Sequence, residues 1–419
     1  MNGKKAYSLL KKLEFVRTGG SKEELEAANI LLNEIKSIKG EARIEPFEVQ
    51  DSVIKEATLE VISPKLKQYP VTGYSCSGST PKEGVEAPFY YLQAAQEIDF
   101  LKAKDKVVLV NGYMNYDLYE KLAKSNIKGF ITYSGDIMRD SQSTYIDKRE
   151  LRAQLHQQFG KIFGLHMKTK DAMSLIQSDP DKVRIKLTQD ETIGESRNVV
   201  AEILGNTNKE EVIVFTAHYD SVPFSKGVYD NGAGSVILME LYRYFSHNAP
   251  KRTLRFIWCG SEERGLLGSK AYVKQHQDEL GKIVLCINVD VGGVVLGKDI
   301  AMVTADNSLL NYVDYMAKEK GFSLEAKQDI YSSDCMPFVD AGIPAINFAR
   351  FGSDGAAHIH DSYDKMGFIS ASSLETTGNI VEEFASRMAN AYMMPVPKKI
   401  PENIVDKVNK YLKKNIKKD

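Results

Sequence analysis

Acidic and imidazole side chains stand at the ends of several apolar runs in the second half of this chain. VIVFTAHYDSV ends in His218 and Asp220, LRFIWCGSEE in Glu262 and Glu263, and KIVLCINVD in Asp290. GVYDNGAG sets Asp230 just before a helical pattern, among glycines that would let the backbone approach a bound ion, and AAHIHDSYD offers His358 and His360. Each piece alone has a plainer use: a strand-end His is usually hydrogen-bonded structure, an Asp before a helix is usually its cap, and a Glu-Glu pair is usually solvated. Their recurrence at one edge of one predicted sheet changes the reading, because buried carboxylates need compensating charge. Two dications would supply it. Imidazole and carboxylate without cysteine suit a catalytic zinc site with a position open to water, and a carboxylate shared by two metals about 3.5–4 Å apart is a known catalytic arrangement. Asp220, two residues beyond His218 and so on the same side of an extended chain, is placed to accept the far N–H of that ring.

The elements that must position these residues follow a regular pattern beyond Arg197. Strand-like NVVAEIL, EVIVFTAH, LRFIWCG and KIVLCINVD alternate with helical stretches at 235–245 and 269–280. That alternation predicts an α/β fold, a mixed, largely parallel sheet flanked by helices, with its site at the carboxyl ends of the strands. Residues 4–38 predict two helices broken at Thr18-Gly19-Gly20-Ser21, where Ser21 caps the second; strands are expected over 42–49 and 57–62. From 65 to 189 short apolar runs such as KVVLV (106–110) and GFITY (129–133) lie between polar loops, with a helix expected over 116–125, which reads as a smaller α/β or β-rich inserted domain without a His-carboxylate cluster. The expected organisation is 1–64 and 190–397 as the catalytic domain, 65–189 as the insert, and 398–419 as a basic amphipathic helix. In that last segment eight lysines surround a stripe of Ile404, Val405, Val408, Leu412 and Ile416.

The bulk properties exclude several classes. The chain has 419 residues, 43% hydrophobic and 26% charged, and a formal net charge of −1, so nothing suggests a nucleic-acid partner. No stretch approaches the roughly 18 apolar residues of a membrane span, and the lysine-rich start never reaches the apolar core of a secretory signal. The expected location is cytoplasmic, or that of a secreted mature form. Cys76, Cys259, Cys286 and Cys335 lie far apart and read as buried, reduced thiols rather than a thiolate metal site. Oligomeric state is not legible.

AHYDSV, GVYDNGAG, GSEERGLLGS, INVDVGG and HIHDSYD together resemble the co-catalytic di-zinc aminopeptidase family that includes bacterial secreted leucyl aminopeptidases, with glutamate carboxypeptidase and the transferrin receptor as distant relatives. The motifs cover about 197–367; RTGGSKEELEAA resembles the family's opening helix, and the insert looks like a protease-associated domain. The resemblance implies two Zn2+ per chain, with Co2+ or Mn2+ as substitutes, and peptide substrates. Asp230 would bridge, His218 and Asp290 would hold one ion, and Glu263 and His360 the other. Glu262 would be the general base that takes a proton from the attacking water and passes it to the leaving amine. His360 is preferred to His358 because Asp364 stands four residues after it, as in the family's last motif. The sequence departs from the family at Cys335, where His is frequent, and at Asp361, where a hydroxyl residue is usual; Tyr331 is the candidate for holding the oxyanion. Alternatives within the fold are a dipeptidase, a carboxypeptidase or a glutaminyl cyclase. A non-catalytic, receptor-like binding protein is expected to lack ligands or the base, and none is missing here.

Overall fold

The computed structural model of the chain describes residues 1–111, 114–138 and 149–414. Contacts divide the chain into two units: Met1–Phe47 joins the described part of Glu195–Asp419, and Glu48–Gly194 forms the other. The smaller unit therefore starts earlier and ends later than the 65–189 expected. The cause is that two long strands, Ala42–Ser63 and Lys182–Ile203, run across both boundaries instead of ending at them. The first replaces the two strands expected at 42–49 and 57–62. Asp51 and Ser52 interrupt the apolar pattern without breaking the strand, because the buried Ser52 hydroxyl donates to Ser75 Oγ at 2.8 Å.

The larger unit is built on a mixed sheet. Its four central strands, Arg252–Cys259, Asn208–His218, Ile283–Val289 and Ala345–Gly352, run parallel in that order. Gly297–Thr304 is antiparallel to Ala345–Gly352 and parallel to Leu324–Gln328; residues 199–203 close the other side antiparallel to Arg252–Cys259. Both faces are buried, and the strands sort their side chains with period two. Ile213, Phe215 and Ala217 enter one cluster with Leu254, Phe256, Trp258, Leu285 and Ile287; Val212 and Val214 enter the other with Ile257, Cys259 and Cys286.

Helices Gly3–Lys12, Lys22–Ser37, Ala233–His247 and Ala371–Asn390 cover the first face, and Leu267–Gln275, Met336–Asp340 and Glu402–Tyr411 the second. Ser21 caps Lys22–Ser37 by accepting from the Glu24 amide at 3.0 Å. In the C-terminal helix Ile404 and Val408 are buried, whereas Val405 is 39% exposed, so the docking stripe is narrower than its apolar count. Ile416 lies outside the described residues. No helix among the described residues is long and apolar enough to cross a membrane.

The smaller unit has its own sheet, ordered from residues 182–185 through Val85–Leu92, Val107–Val110, Gly129–Ser134, Gly164–Lys168 and Thr72–Ser75. Helices Glu97–Ala103, Tyr116–Lys124, Ala153–Phe159 and Thr169–Gln177 accompany it, giving the mixture of strands and short helices expected of the insert. Leu109, Ile131, Leu165 and Leu187 anchor one of its cores, and Val108, Val110, Tyr119 and Phe130 the other.

Candidate metal centre

Parallel register brings the strand ends level. Thr216 pairs with Asn288, so His218 and Asp290 sit two residues farther along neighbouring strands, and His218 itself pairs with Cys259, just ahead of Glu262 and Glu263. Three non-glycine residues with left-handed backbones lie at these turns: Ser261 at φ 53°, Val291 at 60° and His360 at 57°. Such conformations persist where the surroundings over-determine them.

Asp230 lies in the turn Val228–Gly232 ahead of helix Ala233–His247, and its peptide bond to Asn231 is cis. It is not a helix cap. The neighbouring glycines serve the chain's packing on itself rather than the approach of an ion: a Cβ at Gly227 would come 2.6 Å from the Asp230 carbonyl, and one at Gly234 2.4 Å from the Val289 carbonyl. Asn231 ties this turn to the Asp290 strand end by donating to the Val289 carbonyl at 2.9 Å and accepting from the Val291 amide at 3.1 Å.

The side chains converge twice. His218 Nε2 is 3.0 Å from Asp230 Oδ1 and 3.5 Å from Asp290 Oδ1; His360 Nε2 is 2.9 Å from Asp230 Oδ2 and 3.2 Å from Glu263 Oε2. Each set of three offers ligand atoms all within 4.8 Å of one another, and Asp230 gives one oxygen to each. Ligands at zinc distances of 2.0–2.1 Å in a tetrahedron stand roughly 3.3 Å apart; the imidazole–carboxylate distances of 2.9–3.5 Å match that spacing, and the donor types fit a dication at each position. Glu262 belongs to neither set; its Oε2 is 3.9 Å from His218 Nε2.

Electrostatics favour a cation at the same place. Burial alone would lower His218, but Glu262, Asp220, Asp230 and Asp290 raise it well above an ordinary imidazole, and contacts with Asp230 and Glu263 push His360 up to about 11. Burial drives Glu262 well above the carboxylate range, against the pull of His218 and with the push of Glu263, Asp334 and Asp290. Burial next to Asp230 lifts Glu263 to about 7. Among the described residues, no lysine or arginine forms an ion pair with the carboxylates of the two sets. Arg17 is fully buried nearby, but its guanidinium donates to the carbonyls of Leu13, Phe15, Tyr219, Lys226 and Gly227.

The remaining expected residues sit as follows. Asp220 Oδ1 accepts the Glu262 amide at 3.0 Å and Oδ2 the Glu263 amide at 3.2 Å. His218 Nδ1 is 3.4 Å from Asp220 Oδ1 without hydrogen-bond alignment, so the carboxylate expected to orient the ring is engaged mainly with the turn beside it. Tyr331 packs its ring 5.8 Å from Phe351, and burial, then Asp290 and Asp230, raise its hydroxyl far above the ordinary value. His358 bonds Asp361 Oδ2 at 3.0 Å and belongs to neither set of three. Asp364 accepts the Tyr229 amide at 2.7 Å and the Asp230 amide at 3.1 Å, so it fixes Asp230 rather than the histidine four residues before it.

Sequence reasoning did not single out Arg17, Glu24 or Asp334, all buried. For Arg17 and Glu24 the available signal is RTGGSKEELEAA, which resembles the family's opening helix without marking either residue.

Comparison with known proteins agrees with this geometry. The model described as Peptidase family M28 matches residues 198–385. Aminopeptidase YwaD of Bacillus subtilis is 28% identical over 398 residues, covering 90% of this chain and 83% of its own. The structure of BSAP, a zinc aminopeptidase from Bacillus subtilis, superposes with a TM-score of 0.77 at 26% identity, over 96% of this chain and 98% of that one. Carboxypeptidase Q of Mus musculus is 26% identical over 294 residues, and the match spans 66% of this chain and 62% of that protein.

Proposed function

We infer that this chain, whose residues 198–385 match the model of Peptidase family M28, is a zinc-dependent exopeptidase, an aminopeptidase that removes residues from the amino end of peptides. The observation that carries the reading is Asp230, which offers one carboxylate oxygen to His218 and the other to His360. His218, Asp230 and Asp290 would hold one zinc ion, and Asp230, Glu263 and His360 a second. Bound zinc supplies Lewis-acid polarisation of the scissile carbonyl and lowers the pKa of water. Glu262, beside but outside both sets, takes the proton from the attacking water and returns it to the leaving amine. Tyr331 is the residue assigned to the developing oxyanion, and Asp220 holds the backbone of Glu262 and Glu263 in place. Choice of the amino end is supported by likeness to YwaD and BSAP over most of the chain; the carboxypeptidase Q match covers less of both partners.

The test combines metal content with end specificity. Chelation should abolish release of free amino acid from peptides with an open amino terminus, and zinc should restore it at about two ions per chain. Full activity with one ion would sink the two-metal reading. Equal cleavage of amino-acetylated and open peptides would sink the aminopeptidase reading.

A further inference from the structure

The segment 17–24 is far from the site in sequence but touches two of the loops that carry ligands, beside Asp230 and beside Glu263. Glu24 is fully buried on helix Lys22–Ser37. Its Oε1 accepts the Ser261 amide at 3.1 Å and the Ser196 hydroxyl at 2.7 Å, and its Oε2 accepts the Gly20 amide at 2.9 Å. With the two bonds to Asp220, the consecutive amides of Ser261, Glu262 and Glu263 are thus all held by buried carboxylates. Steric fit reinforces the grip. A Cβ on Gly19 would fall 2.2 Å from Ser261 Oγ and 2.8 Å from Ser261 Cα, and one on Gly260 2.7 Å from Glu24 Oε1. At the other end of the segment, Arg17 holds the carbonyl that follows His218, at Tyr219, and the Gly227 carbonyl three residues before Asp230. The Arg17 amide and carbonyl also bond Ser221 Oγ and the Ser221 amide.

We propose that residues 17–24 form a brace that sets the spacing between the Asp230 loop and the Glu262-Glu263 turn, with Glu24 as a positioning residue for Glu262. Glu24 touches no reacting atom. It fixes the left-handed Ser261 backbone, and the direction of that backbone decides where the next two side chains point. The charge of Arg17 stays on the protein side of the centre because its N–H groups are taken by carbonyls. The catalytic part of the inference rests on the exopeptidase reading, whereas the mechanical part does not.

The experiment compares Glu24→Gln and Gly19→Ala in the full chain with the unsubstituted protein, zinc-loaded and chelated. Glu24→Gln keeps the shape but can match the donors at only one end of the group. Gly19→Ala changes no charge, and the three atoms nearest its new Cβ all belong to Ser261. For both, kcat should fall about tenfold or more with KM within about threefold, because substrate contacts remain while the base is misplaced. Amide exchange across residues 260–264 should rise in zinc-loaded and chelated protein alike. Glu24→Asp, which keeps the charge, should recover part of both losses. Unsubstituted kcat and unsubstituted exchange in Glu24→Gln and Gly19→Ala would overturn the brace, as would a kcat loss that only tracks the unfolded fraction. If the unsubstituted chain proves inactive on peptides, the exopeptidase reading fails, and exchange across 260–264 still decides the brace.

Discussion

Histidine is buried in both units of this chain, and the two environments push it in opposite directions. In the smaller unit the His166 ring, 3% exposed, bonds Thr132 Oγ1 at 2.8 Å through Nδ1 and Ser134 Oγ at 2.9 Å through Nε2, with Arg149 Nη2 also at Nε2. Burial and the Arg149 charge lower it to about 3. In the larger unit the buried His218 and the more exposed His360 are surrounded by carboxylates and pushed up. An imidazole among hydroxyls and a guanidinium stays neutral and is satisfied by the protein itself. One among carboxylates whose charge no arginine or lysine of the described residues neutralises by contact calls for a cation from outside. Burial is common to His166 and His218; what separates structure from a metal centre is whether the surrounding partners balance the charge.

The largest effects should come from the carboxylates. Glu262→Gln preserves shape and both ligand sets but cannot accept a proton, so kcat should drop by about 10²–10⁴ with zinc content and KM little changed. Zinc lost from that variant would move Glu262 into the ligand set. Glu263→Gln removes a charge from one set only. Its affinity for one ion should fall by at least about 100-fold, beyond what changes outside the ligand sphere usually cost, and excess zinc should restore part of the activity. Unaltered zinc stoichiometry at low free zinc would take Glu263 out of the centre. Neither substitution should alter amide exchange in strand Gly164–Lys168, since His166 in that strand is held by Thr132, Ser134 and Arg149 of its own unit.

Much of this was legible because it is local. Apolar runs ending in His218, Glu262 and Asp290 mark strands whose carboxyl ends carry the candidate site, and the observed strands end at His218, at Cys259 and at Val289, each within three residues of the expected one. The break at Thr18-Gly19-Gly20-Ser21 also falls between two helices as expected. What the sequence hid is long-range. Glu24 reads as one more charge in a polar helix start, because its partner Ser261 is 237 positions away. The strand Ala42–Ser63 hid its continuity because Ser52 is satisfied by a side chain on another strand. Asp220 lies beside His218 as its spacing suggests, 3.4 Å from Nδ1; what the spacing hid is that the same two oxygens also accept the turn amides of Glu262 and Glu263.

The smallest expected effect is in pH, and it isolates the smaller unit. Arg149 carries only donors, so Nε2 of His166 accepts and the ring proton sits on Nδ1 toward Thr132. The folded ring thus resists a second proton down to about pH 3, whereas an unfolded one titrates near 6.5. Between those values the unfolded chain binds a proton that the folded chain does not, so stability falls as pH falls. The loss is absent above about pH 7, amounts to about 2 kcal/mol by pH 5, and approaches about 1.4 kcal/mol per pH unit. Among the smaller unit's shifted groups, His156 is also lowered by burial and adds to the slope with the same sign. The carboxylates Glu86 and Asp99 are held below their ordinary values by hydrogen bonds and act at lower pH. Exchange of the amides in strand Gly164–Lys168, followed from pH 7 to 5 after correction for intrinsic rates, measures the slope. His166→Gln should flatten most of it. An unchanged slope in that variant would mean that His166 is not the group taking up the proton, and the contrast between the two units' histidines would fail.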